Sequence, residues 1–396
     1  MPKPILLLNC GSSSIKYQMI DADTEDVMAV GLVQKVGEPT PGTIDHEVDG
    51  EEFHDSTYFP SHTEAIAAVV KMFDNYGPDI TDAVAVGHRT VHGGTDFNST
   101  TIIDQAVIDK LVHLSGLAPL HNPPGIAGIR AAREILPDVP HVAIFDTAFF
   151  AELPRAAHTY AIDQQLAHEH QIRRYGFHGT SHQYVSGQAA KFLGKDISEL
   201  KQIVCHLGNG ASVSAIDGGH PIETSMGLTP LQGLVMGTRS GDVDPGLHAY
   251  LAREMKLDTA EVDSLLNKRS GMLGLTGKTD MRDIAKLIAE GDENAQIGME
   301  VYVHRLVGYL GNYIAHLGGI DCITFTAGVG ENAADVRKAV VDKLGYFGAV
   351  LDDDANLVRS KEPRRISTPE SRVEILVIPT NEELAMVRET IKAIGA

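Results

Sequence analysis

Two segments of this chain share one pattern: an apolar strand, a turn of small polar residues, and a second strand. The first has the apolar run 5–8, a turn at residues 9–14, and alternating apolar and polar residues from Ile15 onward. The second covers residues 203–217, and Ser14 aligns with Ser212 at a shift of 198, half of the 396 residues. Such a repeat predicts an internal duplication, with two related domains that each carry a glycine- and serine-rich hairpin.

Helical and strand signals alternate along the rest of the chain. Capping patterns at residues 61–64 and 258–261 each open a helix, and a long amphipathic helix is predicted over 294–317. Further predictions are buried strands at 83–87, 141–145 and 322–326 and a helix in the tail at 382–394. The alternation predicts an α/β fold with a domain boundary near residues 150–154. Length alone predicts two to three domains at ~150 residues each.

Composition narrows the functional classes. Lys and Arg total 33 against 53 Asp and Glu, a net charge of -20, and such an acidic surface disfavours nucleic acid as a partner. No apolar run approaches the ~20 residues that span a bilayer, and the N-terminal apolar stretch 5–8 is shorter than the ~7 to 15 residues of a secretory signal. The sequence therefore predicts a soluble cytoplasmic protein with no membrane partner. Cys10, Cys205 and Cys322 lie in apolar runs and are interpreted as small buried residues.

Three glycine-rich turns follow apolar strands, at residues 9–14, 206–212 and 328–332. Backbone N–H groups in such turns bind anions, and glycine lets the chain approach a ligand closely. Most turns of this composition are only turns, but three in one chain favour nucleotide binding. The run 271–279 resembles a P-loop, yet Met272 occupies a required glycine position and no strand precedes it, so that interpretation fails.

Two arginines lie among small residues: Arg89 in the segment 87–94 and Arg239 in the segment 237–242. His178 lies in a third cluster, at residues 174–182. The planar guanidinium fork suits carboxylate or phosphate oxygens. A lone arginine near glycines is usually a solvated loop residue, but two of them in an acidic protein favour a cleft for anions.

Two acidic residues follow predicted strands. Asp146 ends the strand 141–145, a position typical of catalytic or metal-holding carboxylates, with a helix N-cap as the alternative. Glu382 follows the strand 375–379, and its alternative is an acidic residue in the first turn of a helix.

Zinc and serine-hydrolase chemistry are both disfavoured. The pairs His88…His92 and His178…His182 have a zinc-like spacing, but glycines interrupt the helix and no glutamate lies between them. No GxSxG elbow is present, so a serine hydrolase is weaker still.

With these residues assembled, the sequence closely resembles the acetate kinase family, in the superfamily of acetate and sugar kinases, Hsp70 and actin. The matching segments run in order along nearly the whole chain: 9–17, 87–94, 120–124, 145–149, 175–182, 206–210, 236–245, 325–332 and 379–384. The resemblance implies an α/β fold of two duplicated ribonuclease-H-like (actin-like ATPase) domains around a nucleotide cleft, in a homodimer. The implied domains are an N-terminal acetokinase domain, residues 1–150 plus 381–396, and a C-terminal nucleotide-binding domain, residues 151–380.

The implied activity is the reversible transfer of the ATP γ-phosphate to acetate, which forms acetyl phosphate and ADP. The implied cofactor is Mg²⁺, with Mn²⁺ as a substitute, and ATP and ADP are substrates. Kinases of propionate or another short-chain fatty acid are the near alternative. A non-catalytic nucleotide switch of the actin or Hsp70 type and a metallohydrolase are the alternatives from other classes.

The resemblance also implies roles for individual residues. The implied catalytic residues are Arg89, Asp146, His178 and Arg239. The implied acyl pocket consists of Arg89, Val91, Leu120, Phe177 and Pro230. The implied nucleotide contacts are Lys16, His206, Leu207, Gly208, Asn209, Gly210, Asp280, Met281, Arg282, Gly328, Val329, Gly330, Glu331 and Asn332. The implied metal ligands are Asn9 and Glu382.

The resemblance implies three of these roles, and they suit a reaction that brings two anions together. Arg89 would hold the acetate carboxylate, while Arg239 and His178 would stabilise the equatorial oxygens of the transferring phosphoryl group. Asp146 matches an acid/base position of the family. However, acetate is already ionised at pH 7, so we expect Asp146 to orient a Mg²⁺-bound water instead.

Overall fold

The computed structural model describes residues 3–119 and 121–395. The chain divides into two compact units: unit 1 is Met1–Ala151 with Asn381–Ala396, and unit 2 is Glu152–Thr380.

Unit 1 contains a mixed sheet. Its strands are β1 (Pro4–Cys10), β2 (Ser14–Asp21), β3 (Val27–Gln34), β4 (Gly42–Val48), β5 (Glu51–Thr57), β6 (Ala85–Thr90), β7 (Thr101–Ile102) and β8 (His141–Phe145). Their order is β5-β4-β3-β2-β1-β6-β8-β7. The first five strands form an antiparallel meander, whereas β1, β6 and β8 run parallel. The helices of this stretch are α1 (His62–Tyr76), α2 (Gln105–His113) and α3 (Asn122–Ile135).

Unit 2 contains a second mixed sheet. Its strands are β9 (Lys201–Leu207), β10 (Ala211–Asp217), β11 (His220–Thr224), β12 (Cys322–Thr326), β13 (Arg364–Arg365) and β14 (Glu374–Val377), in the order β11-β10-β9-β12-β14-β13. Its helices are α4 (Arg155–His158), α5 (Gln164–Glu169), α6 (Gly179–Leu193), α7 (Gly246–Met255), α8 (Thr259–Lys268), α9 (Gly271–Thr276), α10 (Met281–Ala289), α11 (Glu293–Leu317), α12 (Ala327–Asn332), α13 (Ala334–Val341) and α14 (Asp353–Leu357). The last helix of the chain, α15 (Glu382–Ile394), belongs to unit 1.

The two sheets share a five-strand core. The order β3-β2-β1-β6-β8 in unit 1 matches β11-β10-β9-β12-β14 in unit 2, with two antiparallel pairs followed by two parallel pairs in each. The duplicated ribonuclease-H-like architecture is therefore confirmed.

The strand register of the two hairpins corrects the shift that relates the two halves of the chain. The β1–β2 ladder ends at Cys10 opposite Ile15, and the β9–β10 ladder ends at Leu207 opposite Ala211. Counted from the turns, Ile15 is thus equivalent to Ala211, a shift of 196 on the second strand rather than 198. Because the turns at 11–14 and 208–210 differ by one residue, the shift on the first strand is 197. On the second strand the predicted shift of 198 was off by two residues. An even error keeps every side chain on the correct face of the strand.

Most of the predicted elements are confirmed. Ser61 caps α1, and Asp258 and Glu261 form a capping box at α8. Two details were wrong. The strand predicted at 83–87 begins at Ala85 and continues to Thr90, so it includes Arg89. Residues 328–332 belong to the short helix α12 instead of a turn, because α12 starts directly at the end of β12.

Both faces of the parallel part of the unit 1 sheet are covered. Leu8 and Val86 belong to the apolar cluster that includes α1 and α3. On the other face, Leu7 and Ile144 pack with Met386 and Val387 of α15. This packing fixes the start of α15 relative to the carboxyl ends of the parallel strands.

Candidate active site

In unit 1, polar residues gather at the carboxyl edge of the parallel strands. Asn9 lies near the end of β1, Arg89 near the end of β6, and Asp146 directly after β8. Parallel strands end at the same edge of a sheet, so these side chains meet there. Asn381 caps α15 by accepting a hydrogen bond from the Leu384 N–H, and this cap starts the helix with Glu382 in its first turn.

Arg89 binds two carboxylates. Its Nε and Nη2 atoms donate hydrogen bonds of 2.9 Å to the two carboxylate oxygens of Asp146, a bidentate pair. Its Nη1 atom lies 3.3 Å from Glu382 Oε2. The Asp146 side chain is only 4% exposed, which makes this a buried pair rather than a surface contact. Asp146 therefore holds Arg89, and Glu382 both starts a helix and contacts Arg89.

The charges of this cluster do not cancel. Burial opposes the charge of the Arg89 guanidinium, but the nearby carboxylates of Asp146 and Glu382 outweigh burial and raise the pKa of Arg89. Burial raises the pKa of Glu382, and Asp146 adds to that rise, while Arg89 and Lys16 oppose it. Arg89 and Lys16 face the carboxylates of Asp146, Glu382 and Glu383, so the cluster keeps an excess of one negative charge and favours an additional cation.

Asn9 and Lys16 lie directly opposite each other on the β1–β2 ladder. Both line a cavity of about 740 Å³ in unit 1, which Arg89 and Glu382 also line. The cavity therefore joins the hairpin residues to the arginine–carboxylate cluster.

In unit 2, two nitrogen-bearing side chains converge on the turn between β9 and β10. A Cβ atom placed on Gly210 would lie 3.4 Å from Arg239 Nη1 and 3.5 Å from His178 Nε2. Both nitrogen atoms therefore face the same glycine. Glycine at this position leaves the space beside them open for a ligand, since any side chain would occupy it.

The environment of Arg239 differs from that of Arg89. Its Nη1 atom donates to the Pro230 carbonyl at 3.3 Å, and no carboxylate pairs with it within residues 3–119 and 121–395. Burial lowers the pKa of Arg239. A half-buried cation without an anionic partner is costly, and a phosphate group would offset that cost.

His178 has a constrained position. It precedes α6 with a left-handed backbone, at φ 59°, which is uncommon for a residue other than glycine. Its Nδ1 atom lies 2.9 Å from Ser212 Oγ, and its ring stacks on His206 with 4.3 Å between the ring centroids. Two contacts thus orient the ring, and its Nε2 atom faces Gly210.

The other implied nucleotide residues lie at several places in unit 2. Asp280 caps α10 and pairs with Arg282 on an exposed surface, an interaction that lowers the pKa of Asp280 to about 2. In α12, Gly330 accepts a hydrogen bond from the buried Arg337, and Glu331 Oε1 accepts one from the Thr380 N–H. These contacts hold the segments in place.

The implied acyl-pocket residues divide between the units. Val91 follows β6 and is half-buried in unit 1. Phe177 is buried and Pro230 half-buried in unit 2. Leu120 lies outside the described residues.

Sequence reasoning missed the residues that support His178. His182 and Ser214 were not assigned a role, yet His182 Nε2 lies 2.7 Å from Ser212 Oγ, and Ser214 Oγ lies 2.7 Å from His182 Nδ1. The signal was present in the spacing. Residues four apart share a helix face, and residues two apart share a strand face.

A divalent cation fits the donors of unit 1. Among the described residues no group of three His, Cys, Asp or Glu side chains could hold a metal ion. However, Mg²⁺ commonly uses one or two protein oxygens and takes its remaining ligands from waters and phosphates. The amide oxygen of Asn9 and the carboxylate of Glu382 are protein oxygens of this kind, and they lie beside an excess of negative charge.

No helix in the part of the chain that the structure describes is long and apolar enough to cross a bilayer.

Comparison with known proteins places these features in a family. The model of the acetokinase family matches residues 4–388. An acetate kinase of Leifsonia xyli subsp. xyli (strain CTCB07) is 52% identical over 394 residues, 99% of each chain. The crystal structure of Porphyromonas gingivalis acetate kinase superposes with a TM-score of 0.94 at 40% identity and covers 99% of this chain and 100% of that one. A propionate kinase from Francisella tularensis subsp. tularensis SCHU S4 superposes with a TM-score of 0.92 at 40% identity, over 98% of each chain.

The fold of two duplicated units and these relatives place the chain in the kinase class of phosphotransferases. The chain belongs to the acetokinase family, as a match of this length and relatives of this identity show. The resemblance found in the sequence is confirmed.

Proposed function

We propose that this chain transfers the γ-phosphoryl group of ATP to acetate, reversibly, and forms acetyl phosphate and ADP. A carboxylate oxygen of acetate attacks the γ-phosphorus while the bond to the bridging oxygen of ADP breaks. Within a chain of the acetokinase family, one observation carries the proposal: the convergence of Arg239 and His178 on Gly210. Such a pair suits the equatorial oxygens of a phosphoryl group in flight.

The residues of unit 2 would bind the nucleotide. The turn 208–210 offers backbone donors beside Arg239, and glycine permits the phosphate to approach the chain. We assign His206, Leu207, Asn209, the segment 280–282 and the segment 328–332 to nucleotide contacts on the basis of the family pattern.

The residues of unit 1 would bind the acceptor. Arg89 uses two of its five N–H donors on Asp146, and Glu382 lies on its Nη1 side. The acetate carboxylate would accept hydrogen bonds from the Nη1 atom of Arg89 once the Glu382 side chain turns away from that atom toward a cation. Lys16, opposite Asn9 on the ladder, would add a positive charge for the phosphates.

Mg²⁺ or Mn²⁺ would be held by Asn9 and Glu382. When bound, the cation supplies charge neutralisation of the phosphate oxygens. Asp146 would keep Arg89 oriented and would orient a water of the cation. A proton role for Asp146 is not needed, because acetate is ionised at neutral pH.

We further propose that the enzyme works as a homodimer in the cytoplasm, where ATP is available. The support for dimerisation is the outer face of α11, where Ile297 is 51% and Val301 37% exposed and a Cβ on Gly308 would meet nothing. Exposed apolar residues along a long helix favour a protein interface. Light scattering of the wild type and of Val301→Arg tests this, and a monomeric wild type would contradict it.

The decisive experiment for the activity is the hydroxamate assay for acetyl phosphate, with acetate, ATP and Mg²⁺. We expect hydroxamate to form with acetate and to fall sharply when Mg²⁺ is removed. A preparation that binds ATP but forms no hydroxamate would favour a non-catalytic nucleotide switch.

Propionate is the second candidate substrate, because a propionate kinase is 40% identical to this chain. One methylene changes discrimination by ~1 to 3 kcal/mol, so we expect propionate to be a poorer substrate rather than an excluded one. Comparison of kcat/KM for the two acids decides, and a preference for propionate would refute the acetate assignment. Val91, Leu120, Phe177 and Pro230 are the residues we assign to this choice.

A further inference from the structure

Four side chains form a continuous hydrogen-bonded series behind Gly210. The contacts run from His178 Nδ1 to Ser212 Oγ at 2.9 Å, from there to His182 Nε2 at 2.7 Å, and from His182 Nδ1 to Ser214 Oγ at 2.7 Å. Only the first member, His178, has a nitrogen that faces Gly210 and Arg239.

The series arises from two regular elements. His178 and His182 are four residues apart at the start of α6 and lie on the same side of it. Ser212 and Ser214 are two residues apart on β10 and point to one face of the sheet. The two hydroxyl groups therefore alternate with the two imidazole rings.

His182 lies wholly inside unit 2. Burial lowers the pKa of His182 well below its usual value, and the neighbouring His206 lowers it further. His182 is therefore neutral at physiological pH. A neutral imidazole carries one N–H, so it donates to one of its two serines and accepts from the other.

Ser214, at the far end of the series, determines the direction in which the hydrogen bonds are donated. Ser214 is fully buried, and within the described residues its hydroxyl has one hydrogen-bond partner, His182 Nδ1. A hydroxyl can donate only where an acceptor exists, and a buried donor without one is costly. Ser214 therefore donates to His182 Nδ1, and His182 donates from Nε2 to Ser212. Ser212, whose oxygen accepts from His182, donates its own hydrogen to His178 Nδ1.

We propose that Ser214, His182 and Ser212 form a directional relay that holds a neutral His178 as the tautomer with its hydrogen on Nε2. In this tautomer His178 presents a donor toward Gly210, beside Arg239. The opposite tautomer would present a lone pair, which repels a phosphoryl oxygen. The three residues are positioning residues, since they act on the reaction only through His178. This role rests on the proposed phosphoryl transfer, whereas the tautomer itself does not.

The direct test is nitrogen-15 NMR of the histidine side chains in the wild-type protein near neutral pH. The relay predicts that both His178 and His182 carry their hydrogen on Nε2. A series running in the opposite direction would place both hydrogens on Nδ1, and that result would overturn the proposal. The signals are assigned by their loss in His178→Asn and His182→Asn.

The second test is a double-mutant cycle. Ser212→Ala removes the link to His178, and we expect kcat to fall about tenfold with the KM values for ATP and acetate within twofold. Ser214→Ala should lower kcat about threefold on its own and have no further effect in the Ser212→Ala background. Ser212→Thr retains a hydroxyl and should recover most of the activity.

Ser186→Ala is the matched control. Ser186 is a buried serine of α6 whose hydroxyl donates to the Gln183 carbonyl, outside the series. Its replacement should leave kcat unchanged. Wild-type kcat in Ser212→Ala, or additive effects of the two substitutions, would contradict the relay. If Ser212→Ala fails to fold, Ser214→Ala and the wild-type spectrum still decide.

The outcomes separate the relay from the function. If His178 and His182 of the wild-type protein both carry their hydrogen on Nε2 but no acetyl phosphate forms, only the proposed function is contradicted. A wild type that forms acetyl phosphate with the hydrogen of His178 on Nδ1 would contradict the relay alone.

Discussion

The two arginines with implied catalytic roles, one in each unit, contrast in their partners. Arg89 in unit 1 is held by two carboxylates, one of them in a buried bidentate pair. Arg239 in unit 2 donates to a backbone carbonyl and pairs with no carboxylate in the described part of the chain. An arginine whose charge is neutralised by carboxylates of the protein has a role before any ligand binds. An arginine without such a partner requires an anion from a ligand. We therefore expect Arg89 to be held in place before acetate binds, and Arg239 to gain an anionic partner only from a ligand.

The hairpins show the same contrast. In each unit the second rung of the ladder from the turn carries polar residues: Asn9 opposite Lys16 in unit 1, and His206 opposite Ser212 in unit 2. The two duplicated hairpins therefore carry polar side chains at the same rung, but the functional groups of those side chains differ. Oxygen and ammonium groups suit a cation and phosphates, while imidazole and hydroxyl groups suit a fixed hydrogen-bond donor.

Replacement of Arg239 should give the largest loss of activity. Arg239→Ala should lower kcat by about 10² to 10³, the typical cost of one donor to a developing charge. It should not lower the thermal midpoint, since no buried anion loses its partner and an uncompensated cation is removed. Arg239→Lys, which keeps the charge without the fork, should be intermediate. Steady-state kinetics and thermal denaturation measure both effects, and a lowered midpoint would break the contrast with Arg89.

Replacement of Arg89 should affect stability as well as turnover. Arg89→Ala leaves the buried Asp146 carboxylate unpaired, so the free energy of unfolding should fall by about 3 kcal/mol. Denaturant unfolding followed by circular dichroism measures it.

Arg388→Ala is the matched control for Arg89. Arg388 forms the same bidentate geometry with Glu25, but their side chains are 47% and 40% exposed. Exposed pairs contribute less than about 1 kcal/mol. Equal losses in the two variants would show that burial does not distinguish the pairs.

Replacement of Asp146 should give a smaller change in rate. In Asp146→Asn the amide can accept from Arg89 through one oxygen only, so Arg89 is less well oriented. We expect kcat to fall about tenfold, the value of one charge-assisted hydrogen bond, together with a higher Mg²⁺ requirement. Mg²⁺ titrations and pH–rate profiles test this. An unchanged Mg²⁺ requirement with the loss of one ionisation would instead favour a proton role.

The sequence predicted the elements better than the pairing of side chains. Local signals were sufficient for α1, β8, β12 and the duplicated hairpins, because capping, periodicity and turns are properties of neighbouring residues. The pairing of Arg89 with Asp146 joins residues 57 positions apart. Only the parallel register of β6 and β8 brings them together, and no local pattern encodes that register.

The His178 series lies between these cases. Each half of it is a local spacing, four residues on α6 and two on β10, but their contact depends on how the helix packs against the sheet. Sequence reasoning therefore found the members as clusters and not as a connected series. Glu382 is a similar case. The sequence predicted its position at the start of a helix but not its contact with Arg89.

The smallest effect is expected one residue from Asn9. Cys10 occupies the first rung of the unit 1 hairpin, as Leu207 does in unit 2, and its sulfur packs against Gly128 of α3. Burial raises the pKa of Cys10 to about 12, so the thiol stays protonated at neutral pH and is no nucleophile. Cys10→Ala should keep kcat within twofold, while Asn9→Ala, on the opposite face of the strand, should raise the Mg²⁺ requirement. A large loss of kcat in Cys10→Ala would show that the chemistry of the hairpin extends to its first rung.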